Sequence, residues 1–92
     1  MALDNYELLE VTENWPPGQG NYIELRAPTG KVVIGGGYRV YAVSGSTPPV
    51  ITESVPADVD ENGICHAWGV LGFNTSTTET LTIVVRATCV TI

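Results

Sequence analysis

Gly63-Ile64-Cys65-His66-Ala67-Trp68-Gly69-Val70-Leu71-Gly72-Phe73, followed by Asn74-Thr75-Ser76-Thr77-Thr78 and then by Glu79 to Thr91, is the stretch on which the reading of the fold turns. Written as a hairpin with residues 74–78 as its loop, it sets Cys65 opposite Cys89, Ala67 opposite Ala87 and Gly69 opposite Val85. Leu71 then faces Ile83 and Phe73 faces Leu81, so that one side of the pair is wholly apolar or small. The other side matches Ile64 with Val90, His66 with Thr88, Trp68 with Arg86 and Val70 with Val84. A slip by one residue carries the apolar set to the wrong face, which gives this register a physical reason to be chosen. The expectation is therefore a hairpin with Leu71 and Phe73 buried against Ile83 and Leu81.

Outward from that stretch the punctuation is that of an all-β protein. The chain holds ten Gly and six Pro, clustered at turn-like stretches such as residues 15–20, 44–49 and 56–63, and the runs between those stretches are rich in Val, Ile, Thr and Tyr. Strands are read at about 5–12, 21–27, 31–35, 37–43, 49–55, 63–73 and 79–91. The second alternates cleanly, with Tyr22, Glu24 and Arg26 on one side and Ile23 and Leu25 on the other. Only residues 3–13 leave helix open, because Asp4, Glu7, Glu10 and Glu13 recur every third residue. The β-branched Val11 and Thr12 and the lack of a cap favour strand. About seven short strands imply an antiparallel β-sandwich or a jelly-roll-like barrel.

Composition narrows the function classes. Ninety-two residues make one domain, read as an N-terminal arm or edge strand with a Pro/Gly connector over residues 1–20, then a β-sandwich domain over 21–92. A net charge of −6 argues against nucleic acid and against anionic membranes. There is no cationic leader pattern, no apolar run of about 18 residues and no lipidation signal. Charged residues are only 15% of the chain, against a norm of about 25%, which points to surface hidden against a partner.

Motifs for chemistry are sparse. Cys65 and Cys89, at facing positions, form either a cross-strand disulfide or two buried thiols. With one histidine and no CxxC they do not spell a zinc site, and no cofactor is implied. Asp58-Val59-Asp60-Glu61-Asn62-Gly63 matches the first half of a calcium loop, but Gly69 stands where the bidentate Glu belongs, so an acidic turn is the better reading. Ala27-Pro28-Thr29-Gly30-Lys31-Val32 fails as a phosphate loop for want of the upstream Gly and of Ser or Thr after Lys31. Gly35-Gly36-Gly37 is read as a bulge, a sharp bend or a close approach of another backbone. His66 is read as a strand histidine beside Thr88 with no carboxylate neighbour, and Asn74-Thr75-Ser76 as a glycosylation sequon by spelling alone. Glu53, Asp58, Asp60 and Glu61 offer carboxylates for glycoside hydrolysis, with a solvated acidic loop as the plainer account. Trp15, Trp68 and the tyrosines form either a sugar platform or core and interface packing, and Trp68 beside Arg86 is a candidate ligand platform or cation–π pair.

The order Ala27-Pro28-x-Gly30-Lys31, Gly35-Gly36-Gly37, Ser54-x-Pro56, Trp68-x-Val70, Asn74 and Cys89 resembles a small β-sandwich domain of bacterial surface proteins and of phage tail-fibre and virion proteins. Members of that family read C-P-x-G-K…G-G-G…S-x-P…W-x-V…N…C, and the resemblance covers about residues 22–90. Ala27 stands where the family has its first cysteine, so the family's disulfide to the last cysteine is lost here, and Cys65 is the candidate substitute. A weaker similarity to H-type lectins lies in Pro48-Pro49-Val50, Trp68 and Leu81 to Val85, without sugar-binding residues to carry over.

The resemblance implies a non-enzymatic virion protein: a capsid decoration or cement protein, or a fibre-like knob, assembled in the host cytoplasm. Its partners would be itself, as a homotrimer, and the major capsid protein or another virion protein. A carbohydrate-binding module at a tail tip is the alternative. Leu3, Tyr6, Leu8, Leu9, Val11 and Trp15 are the candidate assembly contacts, on a segment carrying Asp4, Glu7, Glu10 and Glu13 and no Lys or Arg, which suits a basic partner.

Overall fold

The computed structural model describes residues 6–42 and 49–91, with Ala42 as backbone only. Leu3 and most of the turn cluster read at 44–49 lie outside the described residues. Six strands follow one another: β1 (Tyr6–Trp15), β2 (Gly20–Arg26), β3 (Lys31–Ala42), β4 (Val50–Val59), β5 (Cys65–Phe73) and β6 (Leu81–Thr91). They form two antiparallel sheets of three, in the orders β1-β6-β3 and β2-β5-β4. The described residues are all-β, with six strands rather than the seven or so expected. The runs read separately at 31–35 and 37–43 are one strand, with the register shift of a bulge between Val33 and Gly35. What comes close at Gly36 is a side chain rather than another backbone: the indole of Trp68, from the other sheet, fills the place a Cβ would take.

The expected β5–β6 hairpin does not form. The two strands lie in different sheets, and β5 instead pairs with β4, so that Cys65 faces Val59, Ala67 faces Ala57 and Gly69 faces Val55. β6 pairs with β1 and β3 on its two sides. The turn chemistry accounts for the choice. Between β4 and β5 the chain reverses compactly, Gly63 N–H donating to the Asp60 carbonyl at 3.0 Å, with Gly63 at φ +80°. Residues 74–80, by contrast, run from one sheet to the other.

β6 buries the side expected of it and β5 does not. Leu81, Ile83, Val85, Ala87 and Cys89 are all buried, as the alternation required. On β5 the sides are reversed. Trp68 and Val70 point to the core, while Leu71 and Phe73 are exposed. Ala67 and Gly69 on the outward side are still buried, Gly69 because the Tyr22 ring lies over it. Since β5 carries small or apolar residues on both sides, alternation alone could not say which side turns inward.

Both sheets contribute to a single core: Trp15, Leu81, Ile83 and Val85 from one, Ile23 and Val70 from the other. Each such side chain is worth about 1.5–3 kcal/mol by burial, and Ile83→Ala is expected to cost about 2–5 kcal/mol. Pro56 and a second register shift, between Ile51 and Glu53, are confined to β4, an edge strand, where a missing donor is tolerated. The β1–β2 connection is a β-turn with Pro17 and Gly18 at its centre. Gln19 N–H donates to the Pro16 carbonyl at 3.2 Å, and Gly18 takes φ +72°.

Candidate functional site

Two surfaces stand out, and the first is a cleft of about 200 Å3 at the β1–β2 turn, lined by Glu13, Asn14, Trp15, Pro16, Gln19, Gly20 and Asn21. Glu13 is fixed from two sides. The Trp15 indole N–H donates to its Oε1 at 2.9 Å, and the Asn21 side-chain amide donates to the same oxygen. Asn14 Oδ1 accepts from the Thr82 hydroxyl at 2.9 Å.

Behind the turn lies Asn74, fully buried. Its Nδ2 donates to the carbonyls of Trp15 (2.9 Å), Pro16 (3.2 Å) and Glu79 (2.8 Å), and its Oδ1 accepts from Ser76 N–H at 3.0 Å. Gly18 N–H donates to the Asn74 and Ser76 carbonyls, and Asn74 N–H to the Gln19 carbonyl. The turn is thus held by a saturated polar network, the kind of backing that rigidifies a loop. The Asn74 sequon is one of spelling only: the nitrogen that would carry a glycan is enclosed and donates to three carbonyls.

The second surface is the outward side of β2-β5-β4. Register and alternation bring Tyr22, Val50, Val55, Leu71 and Phe73 together there, between 36% and 49% exposed. The rings lie low on the sheet. Tyr22 occupies the space above Gly69, and Phe73 reaches over Gly20, so glycines make room for flat aromatics. One end is charged: Arg26 bridges Asp58 at 2.5 Å and Glu24 at 3.1 Å. The Tyr22 hydroxyl donates to Glu24 Oε1 at 3.2 Å; desolvation, then Glu24 and Glu53, push its ionisation above the ordinary tyrosine range.

The other residues singled out in the sequence are dispersed. Tyr6 and Leu8 are exposed, Leu9 and Val11 are half-buried on the opposite, core-facing side of β1, and Trp15 is a core residue. β1 pairs along its whole length with β6, as an edge strand of the domain's own sheet. Its carboxylates find partners inside the domain: Glu7 with Lys31 at 2.5 Å, Glu10 with Arg86 at 2.7 Å, and Glu13 with Trp15 and Asn21.

Trp68 and Arg86 do not meet. The indole packs over Gly36 and donates to Ser54 Oγ at 3.1 Å, while Arg86 reaches Glu10 across the other sheet. The ring under a guanidinium belongs instead to Tyr41, with Arg39 4.8 Å above its centroid. The cysteines are both free and lie in different sheets, Cys65 opposite Val59 and Cys89 opposite Glu7 and Val33, so the cross-strand pairing is also corrected. Burial raises the Cys89 thiol above its ordinary value, the nearby Glu7 adding to this and Lys31 opposing it.

His66 has a carboxylate neighbour after all. Its Nε2 lies 2.9 Å from Asp60 Oδ2, while Asp60 Oδ1 accepts from Asn62 and Ile64 N–H. The His66 contact, then those amides, hold the Asp60 carboxyl below the usual carboxylate range. Asp58 turns away to Arg26, so the acidic loop does not converge as a calcium loop would. Among the described residues no group of three or more His, Cys, Asp or Glu is placed to hold a metal.

The sequence reading passed over the cleft, although Asn14, Gln19 and Asn21 around Pro16-Pro17-Gly18 were visible as amides flanking a turn. No family model matches the chain, and no curated protein and no solved structure matches it either.

Proposed function

We propose that the protein is a non-enzymatic structural module that works by protein–protein contact through the outward side of β2-β5-β4. The two sheets are read as the layers of a small sandwich, and the setting as a phage particle, with the chain serving as a capsid decoration or cement protein or as a fibre-like knob. The setting rests on the sequence resemblance.

The observation that carries the contact itself is the exposed apolar row of Val50, Phe73, Leu71, Tyr22 and Val55, flanked on the β4 edge by Glu53 opposite Leu71. Monomeric proteins rarely leave such a row open unless it is used. Aromatic side chains already lying flat lose little freedom on docking, which favours them as contact anchors. A homotrimer, or the shell of the particle, is the proposed occupant, and the low charge content of the chain agrees with a surface meant for covering.

The test is sedimentation velocity together with co-pelleting on the particle, comparing the wild type with a Leu71→Lys, Phe73→Asp variant. Loss of both association and pelleting, with the unfolding midpoint unchanged, supports the reading. Association that persists in the variant removes this face as the contact.

A further inference from the structure

We infer that the cleft at the β1–β2 turn is a binding site for a neutral pyranose ring, recognised by Glu13, Asn14 and Gln19. The observation behind it is the one-sided use of the Glu13 carboxylate. Both of its donors, the Trp15 indole N–H and the Asn21 amide, fall on Oε1. Oε2 has no partner among the described residues, so Glu13, which lines the cleft, keeps an uncommitted acceptor on a carboxylate already fixed through its other oxygen.

Around it stand complementary groups. Asn14 uses its oxygen on Thr82 and keeps its NH2 donors, and the Gln19 amide has no protein partner among the described residues. A carboxylate oxygen flanked by amide donors suits vicinal hydroxyls, each of which donates one hydrogen bond and accepts others. Pro16 adds an apolar wall for the C–H side of a ring.

Size and charge limit the ligand further. About 200 Å3 equals the volume of some six or seven waters, smaller than a drug-sized pocket and suited to one monosaccharide unit. The Glu13 carboxylate, within a chain of net charge −6, disfavours an anionic sugar. The Asn74 network fixes the turn from behind, so the polar groups need not be ordered when the ligand arrives. The cleft adjoins the apolar row at Gly20, under Phe73, but Glu13, Asn14 and Gln19 are not part of that row, so sugar binding stands or falls independently of the assembly proposal.

The experiment is a heteronuclear NMR titration of the 15N-labelled protein with the methyl pyranosides of glucose, galactose and mannose, and with glucuronate. At least one neutral pyranoside is expected to give saturable shifts of the Trp15 indole N–H and of the Asn14, Gln19 and Asn21 side-chain amides, with a Kd on the order of millimolar. Glu13→Gln and Gln19→Ala should each weaken that binding about tenfold, and glucuronate should bind about tenfold more weakly than the glucoside. Should Glu13→Gln lose its fold, Asn14→Ala, at an exposed position, carries the same test. No saturable shift with any neutral pyranoside, equal affinity in the variants, or equal affinity for glucuronate overturns the assignment.

Discussion

The two outward faces of this small domain are built on the same strand geometry and carry different surfaces. On β1-β6-β3 the exposed Tyr6 and Leu8 at one end are separated from Tyr41 at the other by the Glu10–Arg86 bridge, and Arg39 lies over the Tyr41 ring. On β2-β5-β4 the exposed apolar residues run on from Val50 and Phe73 through Leu71 and Tyr22 to Val55, with Glu53 flanking the row opposite Leu71 and the ion-paired charges collected at one end around Arg26. Exposure of single hydrophobic residues is ordinary; continuity is what separates a contact surface from a solvated one. Where a cross-strand ion pair divides the apolar residues, a docking partner would have to desolvate charges.

The largest effect is expected where the chain passes between the two sheets. Asn74→Ala should lower stability by about 3 kcal/mol or more, because three carbonyls and one amide lose a buried partner together. Chemical denaturation measures this directly, and a cost under about 1 kcal/mol would mean that the loop adapts.

The comparison of faces is broken or kept by charge insertion. Leu71→Lys with Phe73→Asp should weaken association by at least about 30-fold, the scale of a hot-spot loss of some 2 kcal/mol. Tyr6→Lys with Leu8→Lys should leave sedimentation unchanged, and equal losses from the two pairs would erase the distinction.

Glycine replacements sharpen the contrast between inside and outside. Gly36→Ala drives a Cβ into the Trp68 ring between the sheets and should cost about 1–3 kcal/mol. Gly69→Ala meets the far end of the exposed Tyr22 side chain, which can swing away, so the cost should stay below about 1 kcal/mol. Thermal unfolding of the two variants side by side gives the answer.

The smallest effect is one of pH. The Asp60 carboxyl is held below its ordinary range by His66 and by two backbone amides. Its contribution is therefore present above the unfolded pKa of about 3.9 and is lost as pH falls through the lower folded value. Asp60→Asn should lower the neutral midpoint slightly and flatten the acid limb of a stability–pH curve below about pH 4, so that variant and wild type converge at low pH. An acid limb identical to the wild type would show that Asp60 is not coupled to folding.

Much of the architecture was legible in the linear pattern. Period-two alternation and the Gly/Pro punctuation identify an all-β chain, and they assign the buried side of β6 correctly, because Leu81, Ile83, Val85, Ala87 and Cys89 have no polar competitor among them. The Pro17-Gly18 and Asn62-Gly63 turns fall where their residues call for them. Of the cleft, only its residue types could be read, since Glu13, Asn14, Gln19 and Asn21 gain meaning from the positions into which Asn74 ties the turn.

What alternation determined by itself was which residues share a side of a strand. Which strand lies next to which was decided only in three dimensions. A strand such as β5, with Trp68 and Val70 on one side and Leu71 and Phe73 on the other, satisfies the same pattern against β6 as against β4. The choice depended on the compact Asp60–Gly63 turn and on the buried Asn74 that carries the chain to the other sheet. That choice turned Trp68 inward onto Gly36, left Leu71 and Phe73 facing outward, separated Cys65 from Cys89, and brought Asp60 to His66. Side-chain periodicity is a local property of the backbone, whereas pairing is a contest between distant segments for the same hydrogen-bonding edge, and only the packed tertiary structure holds its outcome.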